Sequence, residues 1–408
     1  MSVEIRFVEP AEFADWSAAM AAVFLMPAPN EAEVELRRPY ADLTRTRGAW
    51  DGDRVVATCR SFATTLSVPG GDAVPADALS NVTVLPTHRR RGLLTSLMQQ
   101  NLSDAVERGE VVSALVAAEW PIYGRYGYGP AVEQAAYEVE ARAVRFLAAD
   151  SPGEVVVVDP KDARKSTQAV YEAVRLRCPG SIERPAYNFD RELGLVSPEI
   201  RNTWSGNVAL HLDPDGTVDG FVRWTGEASW DGMRPQGKLV VDELLAQTPD
   251  AYAALWRLVC SVDLVTTVTA GSRPVVEPLP HLLADGRAVR QVRREDLLWA
   301  RVLDVPAALA ARRYPVEGRG VVEVVDAQGW AGGVFAVEGG PAGATCVRTS
   351  ASPEVTVPVP ALGACYLGGT RLRTLASAGL VDEHTSGAVS RLDVLLGPVE
   401  VPWALTFF

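Results

Sequence analysis

The sequence lacks an apolar run near the roughly 20 residues that a membrane-spanning helix needs. Its first residues, MSVEIRFVEP, also lack a basic stretch followed by an apolar core, so no secretory signal is predicted. The five cysteines are scattered and odd in number, a pattern that fits neither a disulfide framework nor a metal site. We therefore expect reduced core cysteines, no bound metal, no membrane contact and a cytoplasmic location.

The sequence also has no excess of positively charged residues. The 408 residues include 39 Lys and Arg against 51 Asp and Glu, which gives a net charge of −12. Such a surface repels polyphosphate chains, so no nucleic-acid partner is expected. The composition, 48% hydrophobic and 22% charged, is that of a globular chain, and its length suits about two to three domains.

Against this acidic background, residues 81–100 form a basic stretch, NVTVLPTHRRRGLLTSLMQQ. Val82 and Val84 alternate with polar neighbours as in a strand, and Leu93 and Leu94 begin an apolar helical face. A turn between a strand and a helix presents backbone N–H groups and the positive end of the helix to an anion. The stretch therefore predicts a phosphate site.

The turn itself contains Arg89, Arg90 and Gly92. Arginine side chains match a pyrophosphate with forked hydrogen bonds. The alternatives are a solvated basic run, a nuclear-type signal or a nucleic-acid patch, and the net negative charge argues against the last. We predict a small polyphosphate cofactor next to a cationic substrate.

A second notable segment, EWPIYGRYGYGP at residues 119–130, follows a predicted strand at residues 111–117. By itself it is compatible with a purely structural aromatic turn. It is not a dinucleotide-binding fingerprint, because no matching strand, helix and downstream acid surround it.

Together these stretches resemble the GNAT superfamily of N-acetyltransferases. Arg-x-x-Gly between a strand and a helix is similar to the acetyl-coenzyme A loop of that superfamily, and the Tyr-Gly segment follows in the expected order. Within the superfamily, the chain resembles the enhanced intracellular survival (Eis) family over essentially its whole length. The other segments that carry this resemblance are LVVDEL at 239–244, LW at 255–256, ARVLDVP at 300–306 and the aromatic C-terminus.

The resemblance implies an α/β and α+β fold in three units. They are an active N-terminal GNAT domain at residues 1–145, a central degenerate GNAT-like domain at 146–292 and a sterol-carrier-like α+β domain at 293–408.

The middle of the chain indicates a repeat without help from the family. The strand–turn–strand pattern at residues 208–224 echoes the hairpin predicted at Asp51-Gly52, and a strand and a helix follow each hairpin. The second junction, LAQTPD at 245–250, has an acid and no arginine or glycine. We therefore expect a repeat that has lost its cofactor, with chance similarity of two hairpins as the alternative.

The resemblance also implies roles for single residues. Tyr123 is expected near the coenzyme sulfur as the general acid, and the α-carboxylate of Phe408 is expected as the base. From the residues alone, Phe24 at the far end of the first predicted helix and Glu119 ahead of the Tyr-Gly segment are expected near the amine, and Phe407 is apolar where an acid would help to bind a polyamine. The expected cofactor-binding residues, with the backbone N–H of Val84 on the acetyl carbonyl, are Val82, Val84, Arg89, Arg90, Gly92, Leu93 and Leu94.

The activity that the resemblance implies is acetyl transfer from acetyl-coenzyme A to primary amines of aminoglycosides, of similar polycationic amines or of lysine, by a homohexamer. Two other classes stay open. A non-catalytic acyl-coenzyme A sensor would keep the phosphate loop but would need neither Tyr123 nor a fixed C-terminus. A scaffold or lipid carrier would use an apolar cavity in the C-terminal domain.

Local patterns make further predictions about secondary structure. They are an edge strand at residues 3–8, a helix at 10–24, a solvated acidic helix face at Glu31, Glu33 and Glu35, a linker at 67–77 and a helix at 302–311.

Overall fold

The computed structural model describes residues 3–148 and 152–408. Within these residues, a twelve-stranded sheet spans the first two units and a five-stranded sheet organises the last. The elements of the first unit are β1 (Glu4–Phe7), α1 (Phe13–Val23), α2 (Glu31–Arg37), β2 (Thr46–Asp51), β3 (Arg54–Val68), β4 (Asp72–Val84), α3 (Leu93–Glu107), β5 (Val112–Val116), α4 (Trp120–Tyr123) and β6 (Gly129–Glu140).

The predicted edge strand, first helix and first hairpin are confirmed. β1 pairs with β2 at one edge of the sheet, and β2 pairs with β3 across the turn at Gly52, whose φ is 62°. The linker predicted at residues 67–77 is wrong. Gly70 and Gly71, with φ of 100° and 85°, form a tight turn, and β4 returns alongside β3 from Asp72 onward. The glycine pair is typical of a linker and of a hairpin turn alike.

The second unit repeats this layout. Its elements are β7 (Glu154–Val158), α5 (Pro160–Arg175), α6 (Ala186–Glu192), β8 (Asn207–Leu212), β9 (Val218–Glu227), the short ribbon β10 (Trp230–Asp231) and β11 (Arg234–Pro235), β12 (Gly237–Ala246), α7 (Pro249–Cys260), β13 (Val265–Arg273) and β14 (Val289–Val302). The predicted hairpin, strand and helix of the repeat are confirmed.

β14 joins the two units. It lies between β5 and β6, antiparallel to both, so the sheet order is β1-β2-β3-β4-β5-β14-β6-β13-β12-β9-β8-β7. The predicted division between residues 292 and 293 falls inside this strand, and a cut there would separate paired backbone.

The third unit packs helices on a small mixed sheet. Its elements are α8 (Val305–Ala311), β15 (Gly318–Val325), β16 (Gly333–Gly340), β17 (Gly343–Arg348), β18 (Val355–Pro358), α9 (Val359–Tyr366), α10 (Leu372–Ser377), β19 (Asp382–Glu383) and α11 (Ala388–Leu395). The helix predicted at residues 302–311 begins later than expected. Val302 ends β14, and the Asp304 side chain accepts a hydrogen bond from Ala307 N–H at 3.0 Å and so caps α8.

One predicted surface is buried instead. Glu33 of α2, expected on a solvated face, is 8% exposed and accepts a hydrogen bond from Arg201 Nε at 3.0 Å. The Arg201 hydrogen bonds lower the pKa of Glu33 to about 2. This ion pair ties α2 to the central unit, across 168 residues of sequence.

The five cysteines are free, and Cys59, Cys346 and Cys365 are buried, as expected for core residues. Burial raises the pKa of Cys59 to about 12. In the described ranges 3–148 and 152–408, no helix is long and apolar enough to cross a membrane.

Candidate active site

The site begins where two parallel strands separate. β4 and β5 are paired from Ala76 and Val112 to Leu79 and Leu115. Through residues 80–84, β4 stays paired with β3 but no longer pairs with β5. A gap therefore opens between the two strands at their carboxyl ends.

A β-bulge turns β4 away from β5. Asn81 has a left-handed backbone, with φ of 54°, and the pairing with β3 shifts register between Thr58 and Arg60. Thr58 Oγ1 donates to the carbonyl of Asn81 at 2.7 Å and holds the bulge. Bulges of this kind redirect a strand next to functional sites.

The bulged end of β4 leaves one amide facing the gap. Leu85 N–H donates to the carbonyl of Val56 in β3 at 2.8 Å. Because successive amides of a strand point to opposite sides, Val84 N–H points away from β3, toward the gap. Val84 thus offers a hydrogen-bond donor where the strands separate.

A buried polar network fixes the start of the gap. Asp77 of β4 is fully buried and accepts hydrogen bonds from Ser113 Oγ of β5 at 2.7 Å and Asn101 Nδ2 of α3 at 2.8 Å. The Tyr128 hydroxyl lies 2.7 Å from the same Ser113 oxygen. Burial raises the pKa of Asp77. The network joins two strands, one helix and the segment that contains Tyr123.

The loop after β4 has the backbone shape of an anion cradle. Arg90 and Gly92 are both left-handed, with φ of 64° and 80°, and Gly92 is the N-cap of α3. Left-handed residues near a helix start turn successive N–H groups toward one point, where they bind anions. The exposed side chains of Arg89 and Arg90 make no hydrogen bond or ion pair within residues 3–148 and 152–408.

The His88 side chain holds this loop against the end of β2. Its ring is 8% exposed, and Nε2 lies 3.0 Å from a carboxylate oxygen of Asp51 at the end of β2. Nδ1 lies 2.9 Å from Thr87 Oγ1. The hydrogen bond with His88 lowers the pKa of Asp51.

Gap, loop and Tyr-Gly segment enclose one cavity of about 1100 Å³. That volume is slightly above the range of about 300–1,000 Å³ typical of small-ligand pockets, and it suits an extended ligand. The lining residues are Val23, Phe24, Leu25, Val82, Thr83, Val84, Pro86, His88, Arg89, Arg90, Gly92, Leu93, Leu94, Thr95, Ala118, Glu119, Pro121, Ile122, Tyr123, Arg125 and Tyr126.

Tyr123 is the last residue of α4 and lines the inner wall of the cavity. Its side chain is 6% exposed, and its ring meets that of Tyr128 edge-on at 6.2 Å. Within the described ranges, the Tyr123 hydroxyl makes no hydrogen bond. Burial raises the pKa of this phenol to about 12. Tyr123 therefore presents a protonated hydroxyl that is free to donate to a ligand.

The structure brings most of the predicted residues together. All seven predicted cofactor-binding residues line the cavity, as do Tyr123, Phe24 and Glu119. Phe407 and Phe408 are not among its lining residues. Phe407 is 73% exposed, and the Phe408 ring packs edge-on against Phe62 of β3 at 5.6 Å.

Several lining residues escaped the sequence analysis. His88 stands inside the basic stretch but had no recognisable partner, because Asp51 is 37 residues away. Arg125 interrupts the Tyr-Gly segment, and its position between two tyrosines was the available signal. Leu25, 92% exposed with φ of 57°, follows α1 at the mouth of the cavity, directly after the predicted Phe24.

The equivalent junction of the second unit is closed. Only residues 247–248 separate β12 from α7, against residues 85–92 between β4 and α3. Thr248 caps α7 by accepting from Ala251 N–H at 3.1 Å, and its hydroxyl donates to Asp219 at 2.6 Å. Pro249 at the first helical position has no N–H to offer. The second junction therefore has no anion cradle.

No group of three or more His, Cys, Asp or Glu residues within 3–148 and 152–408 is arranged to hold a metal ion.

Comparison with known families finds three matching domains. Residues 4–131 and 180–305 each match an acetyltransferase (GNAT) domain, and residues 305–405 match a sterol carrier protein domain. Two GNAT matches agree with the tandem arrangement of the sheet, and the third match agrees with the separate five-stranded unit.

Relatives that match over most or all of their length are also called N-acetyltransferases. An uncharacterized N-acetyltransferase of Streptomyces griseus is 40% identical over the whole of both chains. The N-acetyltransferase Eis of Mycobacterium tuberculosis is 37% identical over 85% of this chain and 84% of its own. The crystal structure of Eis1 from Mycobacterium abscessus superposes with a TM-score of 0.87 at 32% identity and covers both chains fully.

Proposed function

Since this chain belongs to the Eis family of GNAT N-acetyltransferases, we propose that it transfers an acetyl group from acetyl-coenzyme A to primary amines. The observation that carries this proposal is the single cavity that joins Tyr123, the Val84 amide and the arginine loop.

The residues of the first junction fit the coenzyme. Arg89, Arg90 and the N–H groups around Gly92 would hold its pyrophosphate, because the cradle is left-handed and both guanidinium groups are unpaired among the described residues. Val82, Leu93 and Leu94 would flank its apolar arm, and the Val84 amide would hydrogen-bond the acetyl carbonyl. When bound, the coenzyme supplies an acetyl group activated as a thioester.

Acetyl transfer needs a neutral amine and a proton for the departing thiolate. The amine nitrogen forms a bond with the carbonyl carbon while the carbon–sulfur bond breaks. Tyr123 donates its phenolic proton to the sulfur, and burial, which raises the pKa of this phenol to about 12, keeps it protonated until the thiolate forms. The α-carboxylate of Phe408 accepts the proton that the amine loses. An α-carboxyl group has an ordinary pKa of about 3.5, so this weak base also orients the amine.

Tyr123 and Phe408 pack on opposite faces of the sheet. Ala114 and Leu115 are successive residues of β5 and so point to opposite sides. Leu115 belongs to the buried cluster that contains α3 and Tyr123, whereas Ala114 belongs to the cluster against which Phe408 packs. A thioester held in the gap would meet an acid on one side and the amine with its base on the other.

Aminoglycosides and similar polycationic amines, or lysine, are the proposed substrates. Glu119 and Phe24 line the cavity and would face the amine, and a net charge of −12 attracts cations over a distance. Phe407, exposed beside the terminal residue, would border the same entrance.

A homohexamer and a cytoplasmic location belong to the same proposal. Size-exclusion chromatography with light scattering tests the homohexamer.

Two rival functions fit less well. A lipid carrier needs room in the sterol-carrier-like unit, yet one enclosed cavity in that core, lined by Leu309, Val337 and Leu362 among others, measures about 10 Å³. An acyl-coenzyme A sensor would need only the arginine loop, and the buried, protonated Tyr123 would have no task in it.

Thiol release from acetyl-coenzyme A with kanamycin-like aminoglycosides and simple amines tests the proposal. We expect turnover that depends on the amine. Binding of acetyl-coenzyme A by calorimetry without turnover of any amine would favour the sensor, and failure to bind the coenzyme would overturn both.

A further inference from the structure

Residues 403–406 of the C-terminal segment lie along the central unit. Trp403 N–H donates to the carbonyl of Pro179 at 3.0 Å. Ser181 Oγ donates to the carbonyl of Trp403 at 2.6 Å and accepts from Leu405 N–H at 3.2 Å. The side chains of Trp403 and Leu405 pack against the apolar cluster of the central unit. The terminal segment is thus fixed by backbone and side-chain contacts.

Arg184 holds the segment at its inner end. Its side chain is 2% exposed, and Nε donates to Thr406 Oγ1 at 2.9 Å while Nη2 donates to the carbonyl of Leu405 at 2.7 Å. Glu192 and Glu243 each accept from the same guanidinium at 2.7 Å. Two carboxylates therefore orient the guanidinium that grips the tail.

Thr406 completes this contact. It is 5% exposed, and its hydroxyl lies 2.8 Å from the Tyr171 hydroxyl. Tyr171 donates its own proton to the carbonyl of Ile182 at 2.7 Å, so the Thr406 hydroxyl is the donor to Tyr171. One oxygen of Thr406 thus both accepts from Arg184 and donates to Tyr171.

The same segment lies beside the place where the second unit would have opened a cofactor gap. β12 and β13 are paired in parallel only as far as Val241 and Ala270, much as β4 and β5 are. Beyond this point Arg273 Nη1 donates to the carbonyl of Leu244 at 2.6 Å and bridges the two strands. The Trp403 ring covers this guanidinium at 4.8 Å. The unused gap is filled by a side chain and capped by the tail.

Beyond Thr406, two residues remain. Phe407 is exposed, and Phe408 packs against Phe62 on β3 of the first unit. The segment therefore starts on the central unit and ends on the sheet that carries the cavity.

We propose that the central repeat, which has no cofactor loop of its own, clamps the C-terminal segment, with Arg184 as the positioning residue that sets where Phe408 ends. The clamp itself does not depend on the proposed function. Its effect on catalysis does, because that effect requires the Phe408 carboxylate to be the base.

Thr406→Val in the full chain removes the hydroxyl and keeps the shape of the side chain. The exposed Thr345 of β17, changed to Val, is the matched control. Release of Phe408 by carboxypeptidase, followed by mass spectrometry, reports how firmly the tail is held, whether or not the enzyme turns over. With two hydrogen bonds lost, we expect T406V to release Phe408 about tenfold faster than the wild type and T345V. T406S is expected to restore the wild-type rate.

Arg184→Lys is a second variant, since it keeps the charge but loses the fork that holds Leu405 and Thr406 together. We expect faster release of Phe408, a lower kcat toward amines and an unchanged Kd for acetyl-coenzyme A. If T406V and R184K both release Phe408 at the wild-type rate, the clamp is overturned. It is also overturned if these variants lose acetyl-coenzyme A binding to the same degree as they lose their hold on Phe408, because such a loss indicates general unfolding. Faster release with unchanged kcat would support the clamp and refute the Phe408 carboxylate as base.

Discussion

Replacement of Tyr123 by Phe should separate catalysis from stability. The Tyr123 hydroxyl makes no hydrogen bond within the described residues, so its removal leaves no buried partner unsatisfied. The ring stays packed against Tyr128. We therefore expect the free energy of unfolding to change by less than about 1 kcal/mol. A general acid contributes about 100-fold to 10,000-fold to a rate, so kcat should fall by that factor.

The assay is thiol release at saturating acetyl-coenzyme A and amine, with thermal unfolding measured on the same samples. Tyr126→Phe is the matched control, because Tyr126 lines the same cavity but its hydroxyl lies 3.1 Å from Thr95 Oγ1. It should keep most of the wild-type kcat. Since the pKa of Tyr123 is about 12, this phenol stays protonated below that pH, and its ionisation should not lower kcat until the pH approaches about 12. A Y123F enzyme with more than half the wild-type kcat would refute the general-acid role.

Three further predictions concern the loop and the strands. Gly92→Ala introduces a Cβ that meets nothing within 4 Å, so its left-handed φ of 80° should cost only about 1–2 kcal/mol and weaken acetyl-coenzyme A binding in calorimetry. Arg90→Glu should raise the KM for acetyl-coenzyme A at least about tenfold and leave kcat nearly unchanged, while Arg319→Glu, at an exposed site on the third unit, should alter neither in the same steady-state assay. Asp77→Asn should lower the free energy of unfolding by about 1–3 kcal/mol in urea titrations, because the buried Arg45 guanidinium, 3.6 Å from Asp77, loses a carboxylate partner.

Local sequence signals predicted the backbone elements of the candidate phosphate site. The strand through Val84, the turn at Gly92 and the helix from Leu93 follow from residue spacing and from the needs of a phosphate site, and the structure has them as expected. The missing cradle of the second unit was equally visible, since Thr248 and Pro249 replace the basic turn.

Contacts between distant residues were not predictable in this way. Thr406 and Arg184 are 222 residues apart, and no periodic pattern in either segment indicates that they meet. Glu33 looked like part of a solvated face because its partner, Arg201, lies in another unit. β14 has an exposed half at residues 290–294 and a buried half at 297–302, and nothing in its sequence indicates that it lies between β5 and β6.

The most direct test of the proposed mechanism compares the intact chain with one extended by a few residues past Phe408. Both would be assayed for thiol release with kanamycin-like aminoglycosides and for acetyl-coenzyme A binding by calorimetry. We predict that the intact enzyme turns over and that the extended one binds the coenzyme with the same Kd but is at least about 100-fold slower, because its terminal carboxylate is displaced. Equal activity of the two chains would contradict a catalytic carboxylate at Phe408.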